Sequence, residues 1–472
     1  MAFSLISNHK KEIMKQSILY KIIFLLLVIY SLNSCESFTE IEAPQTQLSD
    51  KAVFENVNTA NAAMADIYAR LRDNSMVSGS FDGLTSLMSN YSDELLFHGS
   101  NTDLEAFYNH SVNPSNGNLA TLWSTSYSQI YATNNFLEGL ANSQLINQTD
   151  KDRLQGEALF IRAFIHFYLL NIFGDIPYIQ TTDYTVNRVV SRMPQLEVWQ
   201  MIKADLLRAE TLIPDQYPTT ERVVPNKATV KAMLARVALY TENWTDAVVY
   251  TTAVIENPLY VWQSNLASEF LKDNPAIIWA LHPGRTGFNT LDAKTFVSSL
   301  TPPIKSTLSP DFVNTFETGD GRRTVWIRTV TKGTASWFQP YKYKKTGVTT
   351  PSQEYTILFR LAELYLIRAE ARAHTRDEIG AAQDIDKVRT RAGLPPTTAS
   401  GQANLLKAVA QERKFELFTE QGHRWLDLKR TGQADIVLGP IKPNWTATQV
   451  VLPIPETELL LNQNLLPQNP GY

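Results

Sequence analysis

The chain has 472 residues, more than one small core needs, so one large domain or two closely packed lobes is expected. Apolar residues make up 44% and charged residues 19%, which excludes a largely disordered chain. The formal net charge of −4 argues against a nucleic-acid binder, which would carry a basic surplus.

The first 34 residues read as a leader. Lys15 and Lys21 precede an apolar run at 22–30, closed by Ser31-Leu32-Asn33-Ser34-Cys35. A positive start, a short apolar stretch and a small-residue end describe a secretory signal. The run is too short to span a bilayer, which takes about 20 apolar residues. Met14-Lys15 is the more usual beginning for such a leader, so Met14 is the expected start and residues 1–13 an extension. Cys35 is the only cysteine, which rules out an intramolecular disulfide. Leu32-Asn33-Ser34-Cys35 resembles a lipobox, with Asn33 where a small apolar residue is more usual. The resemblance implies a lipidated Cys35, cleavage before it, and residues 35–50 as an acidic tether carrying Glu36, Glu40 and Glu42. It also resembles the surface-export signals of Bacteroidota lipoproteins. Residues 1–34 hold four Lys and one Glu, so their removal takes the net charge from −4 to −7. Neutral partners such as sugars fit that balance best.

Residues 51–472 read as one mostly helical domain. Helical patterns at about 50–72 and 119–141 make a first pair, and 151–172 with 195–212 a second. In the second pair Leu159, Phe160, Ala163, Phe164 and Phe167 form one wide stripe. Gly174 and Pro177 supply its stop signal. Asn226 is the expected cap of a helix running to about Tyr240, followed by a second that opens at Trp244 and ends before Pro258. Residues 228–256 carry the small/large alternation of a tetratricopeptide unit: Ala235, Ala238, Tyr240, Trp244, Ala247, Tyr250 and Ala253. A related pattern returns at 361–371 and 381–391, apolar on two sides as in a stacked superhelix.

Two stretches break the helical pattern, at about 73–118 and 259–350. The second is rich in Pro, Gly, Thr and aromatics, with strand-like pieces at 276–281 and 325–328. Binding residues are usually carried on loops held by a rigid scaffold. A sugar needs an aromatic platform plus side chains that donate and accept hydrogen bonds. The first insert offers Phe97, His98, Phe107 and Tyr108, with Asn101 and Asp103 as polar partners; the second offers His282, Arg285, Phe288, Trp337, Phe338 and Tyr341. Trp337-Phe338 leads these, because it follows the turn-like run Lys332-Gly333-Thr334-Ala335-Ser336. Trp279, Trp326 and Trp425 lie in strand- or helix-patterned segments and read as core.

The segment Glu412-Arg413-Lys414-Phe415-Glu416-Leu417-Phe418-Thr419-Glu420-Gln421-Gly422-His423-Arg424-Trp425-Leu426-Asp427-Leu428-Lys429-Arg430 reads as one helix. Its three glutamates recur every fourth residue, placing their Cβ atoms about 5–6 Å apart on one face. That is near the roughly 5–5.5 Å between the carboxyls of a retaining glycosidase. Such a pair must flank the sugar from opposite sides, however, so an internal ion-pair network with Arg413, Arg424, Asp427 and Lys429 is the expected role. No zinc, phosphate-loop, dinucleotide or nucleophile-elbow motif is present, so no metal or cofactor is expected. His166 and His423 fall inside helical patterns and read as packing residues.

The 412–430 segment closely resembles the hallmark helix of the SusD/RagB family. The tail Leu452-Pro453-Ile454-Pro455-Glu456-Thr457-Glu458-Leu459, with Asn462-Gln463-Asn464-Leu465 and Gln468-Asn469-Pro470-Gly471-Tyr472, resembles its second hallmark; Gln463 stands where proline is commoner. Residues 359–373 and Phe173-Gly174-Asp175-Ile176-Pro177 match further family patterns. The resemblance implies a SusD-like fold with four tetratricopeptide-like helix pairs as scaffold and a loop-rich, partly β variable face. It further implies a non-catalytic, lipid-anchored, outer-membrane surface protein that delivers oligosaccharide to a SusC-like TonB-dependent transporter. A RagB-like peptide importer is the alternative, and a surface glycosidase using Glu416 and Glu420 a second.

Overall fold

Asparagine side chains open most of the long helices. The computed structural model describes Glu12, residues 14–23 and residues 53–472. The chain divides into two units, 1–53 and 54–472. In the first, residues 14–23 are helical. Residues 24–52, which include Cys35, most of the apolar run and the acidic tether, lie outside the described residues.

The second unit is helical in the pattern the sequence predicts. Asn56 accepts from Asn58 N and Thr59 N to start α1 (Val57–Asp73). Two short helices, α2 (Leu84–Tyr91) and α3 (Thr102–Asn109), flank a two-residue strand, β1 (Leu95–Leu96). Asn116 and Asn147 then cap α4 (Gly117–Asn142) and α5 (Gln148–Phe173), and α6 is Gln195–Leu212. Asn226 and Thr229 form a reciprocal capping box at α7 (Lys227–Tyr240), and Asn243 caps α8 (Trp244–Ile255). Each such cap satisfies backbone N–H groups that would otherwise lack partners, a contribution of about 1 kcal/mol.

The second insert holds β2 (Ile277–Leu281), β3 (Thr307–Leu308), β4 (Ile327–Lys332) and β5 (Ala335–Pro340), and β6 (Thr356–Arg360) follows it. The chain closes with α9 (Leu361–His374), α10 (Glu378–Arg391), α11 (Gln402–Glu416) and α12 (His423–Arg430). Helices α1 and α4, α5 and α6, α7 and α8, and α9 and α10 pack as the four expected pairs, with α11 against α9 and α10.

Three sequence expectations are corrected. Helix α5 is buried on every side from Gly156 to Phe173, not along one stripe. It is long and apolar enough to cross a membrane, but its apolar window lies wholly inside the protein, as suits a central core helix. The strand expected at 325–328 starts only at Ile327, because Gly321–Val325 forms a helical turn capped by Asp320. The hallmark segment is two helices and not one. Helix α11 stops at Glu416, and Thr419, Gln421 and Gly422 take left-handed backbone angles before α12 begins.

The break has a cause. Lys342 donates to the carbonyls of Glu416 and Phe418 (2.8 and 2.7 Å), and Arg360 donates to Glu416 O (2.8 Å). Buried cations thus satisfy carbonyls at and just beyond the end of α11 in place of a further helical turn. Trp279, Trp326 and Trp425 are all buried in the core, as their segments predict.

Candidate functional site

The two inserts meet in one antiparallel sheet of order β1-β3-β5-β4. Leu95 and Leu96 of the first insert pair with Leu308 and Thr307, and Leu308 pairs with Phe338 of β5. Strands β4 and β5 form a hairpin whose two-residue turn is Gly333-Thr334, with Gly333 at φ 60°, in the left-handed region that glycine tolerates. Gln339 donates to Ser298 O (3.1 Å), which ties the hairpin to the loop before β3.

This register separates the leading aromatic pair. Side chains alternate across a strand, and residues directly opposite share a face. Phe338 lies on the face of Ile327 and packs against the core cluster of Phe312, Trp326 and Phe418. Trp337 lies on the other face, opposite Val330, flanked by Arg328 and Lys332 on β4. Tyr341 stands half-buried just beyond, with the Arg328 guanidinium and the Lys344 ammonium 5.9 and 5.3 Å from its ring centre.

Phe97 and His98 directly follow β1. Phe97 is half-buried against Gly99, and His98 is exposed, its Nε2 2.8 Å from Thr307 Oγ1. Arg285 and Phe288 line a separate cleft of about 360 Å³ with Arg72, Ser78 and Lys294. The Arg72 guanidinium packs directly on Gly284 (φ 85°), where an added Cβ would collide with it at 2.7 Å. Tyr108 is engaged otherwise: the Lys442 ammonium sits 4.0 Å from its ring and donates to its carbonyl. Asn101 and Asp103, expected as ligand partners, serve the backbone instead. Asn101 caps α3 through Leu104 N, and Asp103 accepts from Gly117 N.

The hallmark glutamates are closed off. Glu416 is 0% and Glu420 5% exposed. Arg360 bonds Glu416 at 2.5 Å and Glu420 at 2.7 Å, and Lys342 bonds Glu420 at 2.6 Å. Arg322 pairs with Glu412 at 2.9 Å, and Arg391 with Glu269 at 3.0 Å and also with Glu416. Burial alone would raise the Glu416 carboxyl, but Arg391, Arg360 and Arg322 hold it far below the usual carboxylate range. Burial lowers Lys342 to about 8 against the pull of Glu420. The network the sequence suggests is therefore present but differently populated. Arg413 and Arg430 pair with Asp427, and Arg424 with Asp93, while Lys429 donates to Asn171 O. His166 and His423 are both buried and held neutral by desolvation.

Sequence reasoning missed the cations. Residues 281–350 hold ten Lys and Arg against four Asp and Glu. Arg322 and Lys342 join the buried network. The other eight, Arg285, Lys294, Lys305, Arg323, Arg328, Lys332, Lys344 and Lys345, have no carboxylate within 4.0 Å among the described residues. Exposed apolar side chains accompany them at Leu300, Ile304 and Val348, with Phe81 from the first insert. The dibasic pairs Arg322-Arg323 and Lys344-Lys345 were the available signal, hidden by an acidic total.

Residues 46–239 match a family described as starch-binding and associating with the outer membrane, and residues 327–472 match the SusD family. The chain belongs to the SusD/RagB family. SusD-like protein P2 of Formosa agariphila is 27% identical, over 96% of this chain and 99% of that protein. A SusD superfamily protein from Bacteroides vulgatus has the same fold at TM-score 0.78 and 20% identity, covering 88% of this chain and 99% of that one. A laminarin-binding SusD-like protein aligns at TM-score 0.74 and 24% identity, over 89% and 100%. Surface glycan-binding protein A from Bacteroides thetaiotaomicron aligns at TM-score 0.75 and 18% identity, over 89% and 100%. SusD-family membership places the chain among outer-membrane-associated carbohydrate-binding proteins, and the helix pairs are the scaffold of that fold.

Proposed function

We propose that this protein is a non-catalytic, cell-surface glycan-binding lipoprotein, anchored through Cys35, that delivers oligosaccharide to a SusC-like TonB-dependent transporter. One observation carries the reading: two inserts from distant parts of the chain are stitched into a single sheet beside a helical frame, with half-buried Trp337 on its β5 strand and half-buried Tyr341 just beyond. A sugar ring lies flat on such an indole, and the polar groups around it serve the hydroxyls. Capture followed by handover favours moderate affinity, since very tight binding slows release. The buried, fully paired Glu416 and Glu420 speak against hydrolysis, because neither carboxyl can reach a substrate.

A glycan array on the purified mature protein is the direct test, with a peptide library beside it. Saccharide binding that Trp337→Ala weakens supports the reading; binding of peptides alone would replace it with peptide import. Cys35→Ala is expected to move the protein from the membrane to the soluble fraction, and outer-membrane fractionation of that variant would refute the anchor.

A further inference from the structure

Cations of the second insert stand beside several of its aromatics, including the two that make the sugar platform. Arg328 and Lys332 stand on the same face of the β4–β5 hairpin as Trp337. Arg328 and Lys344 bracket Tyr341. Arg285 and Lys294 stand 6.0 and 5.7 Å from the centre of the Phe288 ring, inside the 360 Å³ cleft. Arg323 lies 5.0 Å from Phe338. Arg285, Lys294, Arg328 and Lys332 are exposed, and the other four are half-buried.

These charges have no ion-pair partners among the described residues, and Asp73, which lines the cleft of Arg285 and Lys294, is paired with Arg72. Of the four acids in 281–350, Asp292 is buried and bonded to Thr356, Asp320 is buried against Arg322, and Glu317 pairs with Arg389. Asp311 makes no ion pair among the described residues. Glu354 accepts the backbone N–H groups of Lys344 and Lys345 at 2.8 and 2.9 Å, and its field reaches the Lys344 ammonium. Elsewhere the chain is acidic: with −7 after the leader and +6 in residues 281–350, the remainder carries −13. A local surplus of positive charge attracts anions, and repulsion among neighbouring cations is relieved when anions arrive.

We propose that the glycan is anionic, bearing sulfate or carboxylate groups that pair with Arg328, Lys332 and Lys344 while its rings stack on Trp337 and Tyr341. This rests on the glycan-capture reading and names the substrate class for it. Arg and Lys beside an aromatic ring supply both contacts an acidic sugar needs: a charge-assisted hydrogen bond to its anion and a flat apolar surface for its C–H face.

The test uses the mature protein and four probes in calorimetric titrations: carrageenan as a sulfated galactan, polygalacturonate as a uronate, laminarin as a neutral glucan, and poly-glutamate as an anion without sugar. Carrageenan or polygalacturonate is expected to bind at least about tenfold tighter than laminarin, and the tighter of the two identifies the anionic group. Raising NaCl from about 50 to about 500 mM is expected to weaken that binding about tenfold. Arg328→Glu combined with Lys332→Glu is expected to abolish it, and the milder Arg328→Gln with Lys332→Gln to reduce it severalfold with an unchanged melting temperature. Laminarin bound as tightly as either polyanion, without salt dependence, would overturn the charge assignment and leave glycan capture standing. Poly-glutamate bound as well as the polysaccharides would overturn it as mere polyanion attraction, and failure of all three polysaccharides would overturn capture itself.

Discussion

Two regions of this protein use arginine and lysine in opposite ways. Around α11 the cations are sealed from water, and Arg322, Arg360, Arg391 and Lys342 each contact a carboxylate. On the second insert eight cations face solvent or half-face it without one among the described residues. The same residue types therefore do different work according to what surrounds them. A buried charge must be paired or it destabilises the fold, so the paired set fixes the break between α11 and α12. An exposed unpaired charge costs the fold little and stays free to meet a ligand. Charge composition alone distinguishes neither; pairing does.

Removing one member of the paired set should have the largest effect. Arg360→Ala leaves Glu269, Glu416 and Glu420 short of a partner inside the protein, an expected loss of about 3–5 kcal/mol in urea unfolding. A loss below about 1 kcal/mol would show that the network is wet and not sealed.

Glu94 sharpens the contrast, because it is buried without a cation of its own. Burial holds its carboxyl at about 7 against an ordinary 4.5. Between those values the folded chain keeps a proton that the unfolded chain has released. Stability from this group is therefore full below the lower value and lost as the pH rises through the upper one. Glu94→Gln should remove that decline and stabilise the protein at pH 8 by up to about 3 kcal/mol. A pH–stability curve unchanged between pH 4.5 and 8 would count against a neutral Glu94.

The insert should behave conversely. Trp337→Ala is expected to cost under about 1 kcal/mol of stability yet weaken glycan binding about tenfold. If it unfolds the hairpin, Trp337 belongs with the core residues on the opposite face.

The helical frame was largely legible, because Asn caps, Ala/aromatic periodicity and the Gly174 stop are local signals. The network was legible only as an acidic repeat. The partners of Glu416 lie far away in sequence, Arg322 by 94 residues and Arg360 by 56, so no local pattern could reveal them. Strands β1 and β3 were invisible for a different reason: two residues are too few for any alternation to register. Without them neither the joining of the inserts nor the register that turns Phe338 inward could be foreseen. Net charge misled outright, since a total averages over the segregation that matters.

The brevity of β1 and β3 has an evolutionary consequence. Two strand pairings join the inserts, Leu95 with Leu308 and Leu96 with Thr307, helped by side-chain bonds such as Thr295 to Gly79 O and Ser306 to Asn90. So small a seam leaves the exposed stretches of each insert free to lengthen, shorten or change their side chains while the helices beneath keep their sequence. A lineage could exchange one diet for another by rewriting these loops alone.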